Sequence, residues 1–165
     1  MSGSWAAASF PRVPTRFSRQ RLRTGLQVGL IAAAATAGVA FGYGRRERGG
    51  FRPFAAVGRH LSGGSFRTGA LADFLSTMLG LAFHVALIVA WGVLFALIAA
   101  RLRGWLRVLA ACAVGAVAYA VHAALPPLLR PGYDVMALRP QIAVHIALAL
   151  ALAVGMRIAE PSRHD

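Results

Sequence analysis

Lysine is missing and carboxylates are scarce: the 165-residue chain carries 18 Arg, no Lys and 5 Asp or Glu, for a formal charge of +13. Charged residues make up only 14% of it while apolar types reach 58%, far from the roughly 25% charged usage of soluble domains. That shortage excludes an ordinary water-soluble globule, which has no place for so much apolar surface. One cysteine, Cys112, excludes an intrachain disulfide, and its setting inside an apolar run marks it as a small packing residue. CxxCH, HExxH and paired-Cys patterns are missing, and the glycines at 42, 44, 49 and 50 form neither a GxGxxG nor a P-loop spacing. Ser76 and Thr77 lie upstream of His84 without a GxSxG context. The chain therefore reads as non-enzymatic.

What is present is a series of long uncharged runs. A membrane-spanning helix needs about 20 apolar residues, and four runs qualify: 25–44, 74–100, 108–125 and 141–156. The expected fold is all-α, a polytopic four-helix transmembrane bundle over 25–157. A basic, disordered tail precedes it at 1–24, and a short tail follows at 158–165. Pro126-Pro127 stops the third run because proline cannot continue the hydrogen-bond ladder. The fourth covers only about 24 Å at 1.5 Å per residue; Arg139 and Arg157 snorkel outward to complete it, and Pro140 suits a first turn. The first run has a competing reading as a cleaved signal peptide with a small-residue site near Gly38-Val39-Ala40, but the run 25–44 is longer than the usual signal core of about 7 to 15 residues. A retained helix is expected.

Between the first two crossings, 45–73 holds six Arg and repeated Gly and belongs at the surface. Phe51, Phe54, Gly58 and Leu61 share one helical face and Arg52 and Arg59 another, which suits a short interfacial helix; Pro53 and Gly63-Gly64 suit an irregular loop instead. The Arg clusters flank the apolar runs, so the expected partners are anionic lipid headgroups and not nucleic acid. With the N-terminus in the cytoplasm, ten Arg fall inside and eight outside, which favours both termini inside by a thin margin. Arg without Lys, in an Ala-, Gly- and Leu-rich chain, fits a GC-rich bacterial genome and hence a bacterial cytoplasmic membrane.

Lipid tails are as apolar as Leu, so helix association rests on close approach at small residues. Gly25 with Gly29, Gly38 with Gly42, Ala82 with Ala86 and Ala90, Ala111 with Gly115, and Ala147 with Ala151 and Gly155 form stripes expected to face inward. The segment from His84 resembles that from His145, suggesting two repeated helical hairpins. Tyr43 and Trp105 suit the headgroup boundary, and Trp91 suits packing.

The crossings contain no Asp, Glu, Lys or Arg, which argues against proton-coupled transport. Gln27, Thr36 and the histidines do not make the polar face a channel needs. His84, His122 and His145 do lie at similar depth, nearer one face, with Tyr119 one turn from His122 and Asp73, Tyr133, Asp134 and His60 in the adjoining connections. These three are the candidate ligands for haem b or a transition metal; the competing reading makes each an isolated polar group bonded to backbone or water. Two roles follow: an accessory or structural subunit that assembles with itself or a larger membrane complex through small-residue faces, and a haem- or metal-binding redox protein.

Overall fold

The computed structural model describes residues 15–46, 49–65, 68–125 and 137–159. It is all-helical among these residues: α1 (Thr15–Arg46), α2 (Arg52–Leu61), α3 (Ala70–Ala99), α4 (Trp105–Ala124) and α5 (Leu138–Ala159). Four of them, all but α2, are long and apolar enough to cross a bilayer. The outward surface agrees: Leu30, Leu150 and Val154 lie mid-helix and are 55%, 62% and 53% exposed. Side chains of that kind, spread over every long helix, are solvated by hydrocarbon. The protein is a multi-pass membrane bundle in which the described residues form four long helices and one additional short helix.

Every crossing is longer than its uncharged run. α1 starts ten residues before the expected boundary, so 15–24 is helical and not part of a disordered tail; residues 1–14 lie outside the described set. Leu, Gln and Arg are good helix formers, and a helix anchored in lipid continues into the headgroups while its Arg side chains reach water. α3 starts at Ala70, behind Gly69 at φ 128°, and carries Asp73 in its first turn, where a carboxylate opposes the positive end of the helix dipole. α4 starts at Trp105 behind Gly104 at φ 56°, a backbone conformation that glycine adopts without strain. α5 has 22 residues, about 33 Å at 1.5 Å per residue. The fourth crossing is therefore not short, and Pro140 sits in its first turn. Residues 160–165 of the expected C-terminal tail are outside the described set.

Packing runs in the order α3, α1, α5, α4, and only a sparse contact between α3 and α4 closes the ring. Glycine makes the tightest joint. A Cβ on Gly25 would lie 2.7 Å from the Val93 Cα, one on Gly29 2.7 Å from the Val89 Cα, and one on Gly92 would collide with Gly29 itself. This register makes α1 and α3 antiparallel. Gly155 meets α1 at Val28, and Gly115 meets α5 at Ala149, 2.9 Å from a built Cβ. The core is Val28, Phe95, Leu148, Leu152 and Met156 with small residues between them.

Two expected inward stripes face out. Gly38 and Gly42 have nothing within 4 Å of a built Cβ, and Ala82, Ala86 and Ala90 are exposed. α3 instead turns Gly80, Ile88, Gly92 and Phe95 inward, because the face that admits the α1 backbone is the one that carries glycine. α2 is a helix and not an irregular loop. It runs back along the start of α3, where a Cβ on Gly58 would strike the Ser76 carbonyl and one on Gly80 the Phe54 carbonyl. It buries Pro53, Phe54, Ala55 and Gly58, while Phe51 and Leu61 stay exposed. An exposed ion pair, Arg59 to Asp73 at 2.8 Å, ties α2 to α3.

Arg residues collect at both ends: Arg19, Arg21, Arg23, Arg101, Arg103, Arg107 and Arg157 at one, Arg45, Arg46, Arg52, Arg59 and Arg139 at the other. Trp105 stands exposed at the first position of α4, and the Tyr43 ring in the last turn of α1 lies 5.5 Å beneath the Arg46 guanidinium.

Candidate functional site

Where α3 and α4 diverge, the bundle encloses a cavity of about 260 Å³. It occupies the half of the bundle nearest α2, the end of α4 and the start of α5. Its walls are apolar, drawn from Phe83, Leu87 and Trp91 of α3, Val121 and Leu125 of α4, and Val144 and Leu148 of α5; Pro53, Phe54 and Val57 of α2 cover one end. Trp91 packs as expected but also faces this space. Ile88 and Leu148, on the inner wall, are 6% and 1% exposed, whereas Phe83, Leu87 and Val121, at the seam, are 40%, 42% and 46% exposed. The cavity therefore opens sideways between α3 and α4, at the depth of the acyl chains.

All three intramembrane histidines line it, each from a different helix. The shared depth expected for them is what brings them to one space. His84 of α3 is half-buried, with Phe54 edge-on at 5.5 Å between ring centroids. Its Nε2 lies 2.9 Å from the Thr36 hydroxyl of α1. Thr36 is fully buried and donates to the Ala32 carbonyl at 2.8 Å, the usual way a hydroxyl is satisfied inside an apolar helix. A hydroxyl has a single proton, so Nε2–H of His84 donates to the Thr36 oxygen and Nδ1 holds the lone pair.

His145 of α5 is fixed the opposite way. Its Nδ1 is 2.8 Å from the Gln141 carbonyl, and a carbonyl only accepts; Nδ1 carries the proton and Nε2 the lone pair. Tyr119 and His122 of α4 lie edge-on to the His145 ring at 5.2 and 5.8 Å. The carboxamide-bearing Gln141 is itself buried at the cavity edge. Among the described residues no three His, Cys, Asp or Glu side chains are arranged to hold a metal ion. His122 with His145 form a pair, and His84 is engaged by Thr36.

The remaining expected residues lie apart. Asp73 pairs with Arg59, and His60 is exposed on α2. Tyr133 and Asp134 are outside the described residues. Ser76 is buried under α2 with no partner for its hydroxyl among the described residues, and Thr77 donates to the Asp73 carbonyl at 2.7 Å, so neither meets His84 as a nucleophile. Thr36, Gln141 and Phe54 join the site unanticipated. The signal for Thr36 was available: positions 25, 29, 32, 36 and 40 fall on one helical face, and that face is the buried one.

Comparison with family models, with curated proteins and with solved structures gives no match for this chain, so its reading rests on the cavity and its side chains.

Proposed function

We propose that the chain is a non-enzymatic accessory bundle that holds a small, membrane-dissolved molecule in the cavity between α3, α4 and α5. The supporting observation is a largely apolar space, open at acyl-chain depth, whose inner end carries imidazoles with fixed tautomers. Binding sites for small molecules combine apolar walls with a few placed polar groups, and this cavity has that composition. An engineered apolar cavity of roughly 150 Å³ accepts benzene, so about 260 Å³ suits one substituted ring. The test is mild-detergent purification followed by native mass spectrometry and solvent extraction. A small organic molecule should accompany the native chain and be lost from Ala118→Phe, which fills the cavity from α4; an empty native protein rejects the reading.

A second reading, a transition metal or haem on His122 and His145, has one observation in its favour. An Nδ1–H bonded to a backbone carbonyl is the arrangement that presents Nε2 to a metal. The cavity lies below the roughly 300–1,000 Å³ of sites for drug-sized ligands, which favours an ion over a macrocycle. Bound metal and visible absorbance, lost on His145→Ala, would establish it; a colourless, metal-free preparation removes it.

The Arg clusters at both ends support anionic headgroups as lipid partners, and the outward Gly38–Gly42 and Ala82–Ala86–Ala90 faces support assembly with a second copy or a larger membrane complex. Placement in a bacterial cytoplasmic membrane with both termini inside puts the cavity in the outer half of the bilayer.

A further inference from the structure

Accepting the cavity as a binding site, we infer that its ligand is a neutral, lipid-soluble molecule bearing a hydroxyl donor, of the phenol or quinol class, whose O–H is received by Nε2 of His145. The polar atoms facing the cavity set the class of ligand. The Nδ1–H of His145 is spent on the Gln141 carbonyl at 2.8 Å, and no further hydrogen bond to this ring is present among the described residues. Nε2 is then an acceptor, on a ring that lines the cavity. His84 offers the same kind of group, because its N–H is spent on Thr36 at 2.9 Å. At these two nitrogens a ligand carbonyl would meet a lone pair and be repelled, whereas a hydroxyl would be matched.

The rest of the ligand follows from the walls. Trp91, Phe83 and Phe54 flank the space, and aromatic faces and edges favour a ring between them. Among the described residues no Asp, Glu, Lys or Arg side chain lines the cavity, so an ionised ligand would meet no counter-charge from them and would enter at high cost. The opening between α3 and α4 faces hydrocarbon, so the molecule arrives from the bilayer and not from water.

Trp91 supplies the readout. In a Trp5→Phe, Trp105→Phe background it is the sole tryptophan, and its fluorescence is quenched by a bromine atom in contact with it. The probes are 4-bromophenol and 1-bromo-4-fluorobenzene, nearly equal in shape and differing in the donor, titrated at concentrations corrected for partitioning into the same bilayers. A net hydrogen bond contributes about 1 kcal/mol. Saturable quenching by the phenol should therefore need about fivefold less probe, and His145→Phe should bring the two probes to parity while both still bind. Equal affinities in the native chain overturn the hydroxyl assignment, and a preference that survives His145→Phe overturns the choice of His145 Nε2 as its acceptor; both results leave the cavity-binding reading standing. No saturable quenching by either probe, with Trp91 still shielded from aqueous iodide, overturns both.

Discussion

At the residue scale the Thr36–His84 contact is the polar link between α1 and α3. Thr36 also reaches the Ala32 and Ala33 carbonyls at 2.8 and 3.2 Å, and interhelical hydrogen bonds in membrane proteins contribute only about 0.6 kcal/mol on average. Thr36→Val, which keeps the shape, should lower stability by about 0.5–1.5 kcal/mol in a reversible detergent-unfolding titration. Thr36→Ser should retain most of it. A loss above about 3 kcal/mol would mean that burial of an unsatisfied His84 dominates. Cys112, exposed on α4, gives the contrast: Cys112→Ala should stay within about 0.5 kcal/mol, and maleimide labelling should require a reagent that partitions into the bilayer.

Glycine contacts govern the elements. Gly29 and Gly92 touch at backbone level, so Gly92→Leu should separate α1 from α3 and abolish the folded bundle, read as lost protease resistance in detergent. Ala86→Leu, on the outward face of α3 less than two turns away, should leave the monomer intact; a loss of higher-mass species in native mass spectrometry would identify that face as an assembly surface. Gly58→Leu strikes the Ser76 carbonyl and should lift α2 alone, leaving the four crossings in place and exposing the Trp91 cavity to aqueous quenchers. The crossings were legible because hydrocarbon tolerates no uncompensated charge, so the uncharged runs mark the bilayer. Their ends were not legible. Arg marks where lipid stops, whereas the helical ladder continues into headgroups, which is how α1 reaches back to Thr15 and α5 from Leu138 to Ala159. Nor did spacing alone separate Gly25–Gly29, which meets α3, from Ala82–Ala86–Ala90, which is exposed, since small residues recur on every face of these helices.

For the whole molecule, the depth of the three imidazoles carried over from sequence to structure because depth depends only on counting along alternating helices. Their tautomers did not, since those depend on which carbonyl or hydroxyl each ring reaches. The multi-pass fold predicts that the chain stays with the membrane pellet through an alkaline carbonate wash and is released only by detergent. Under the proposed orientation with both termini inside, a C-terminal alkaline phosphatase fusion should be inactive and a C-terminal fluorescent-protein fusion bright; the reverse pattern would invert the bundle and move the cavity to the inner leaflet.

The weak contact of α3 with α4 makes the bundle a broken ring, in which α3 is fastened to α1 and α2, and α4 to α5, with no strong bond across the gap. With α1 and α5 packed together as the hinge, the width of the gap between α3 and α4 is then open to the lateral pressure of the surrounding acyl chains. Occupancy by the proposed ligand should rise in loosely packed unsaturated bilayers and fall in tightly packed saturated ones, which would make the lipid phase itself the valve of the cavity.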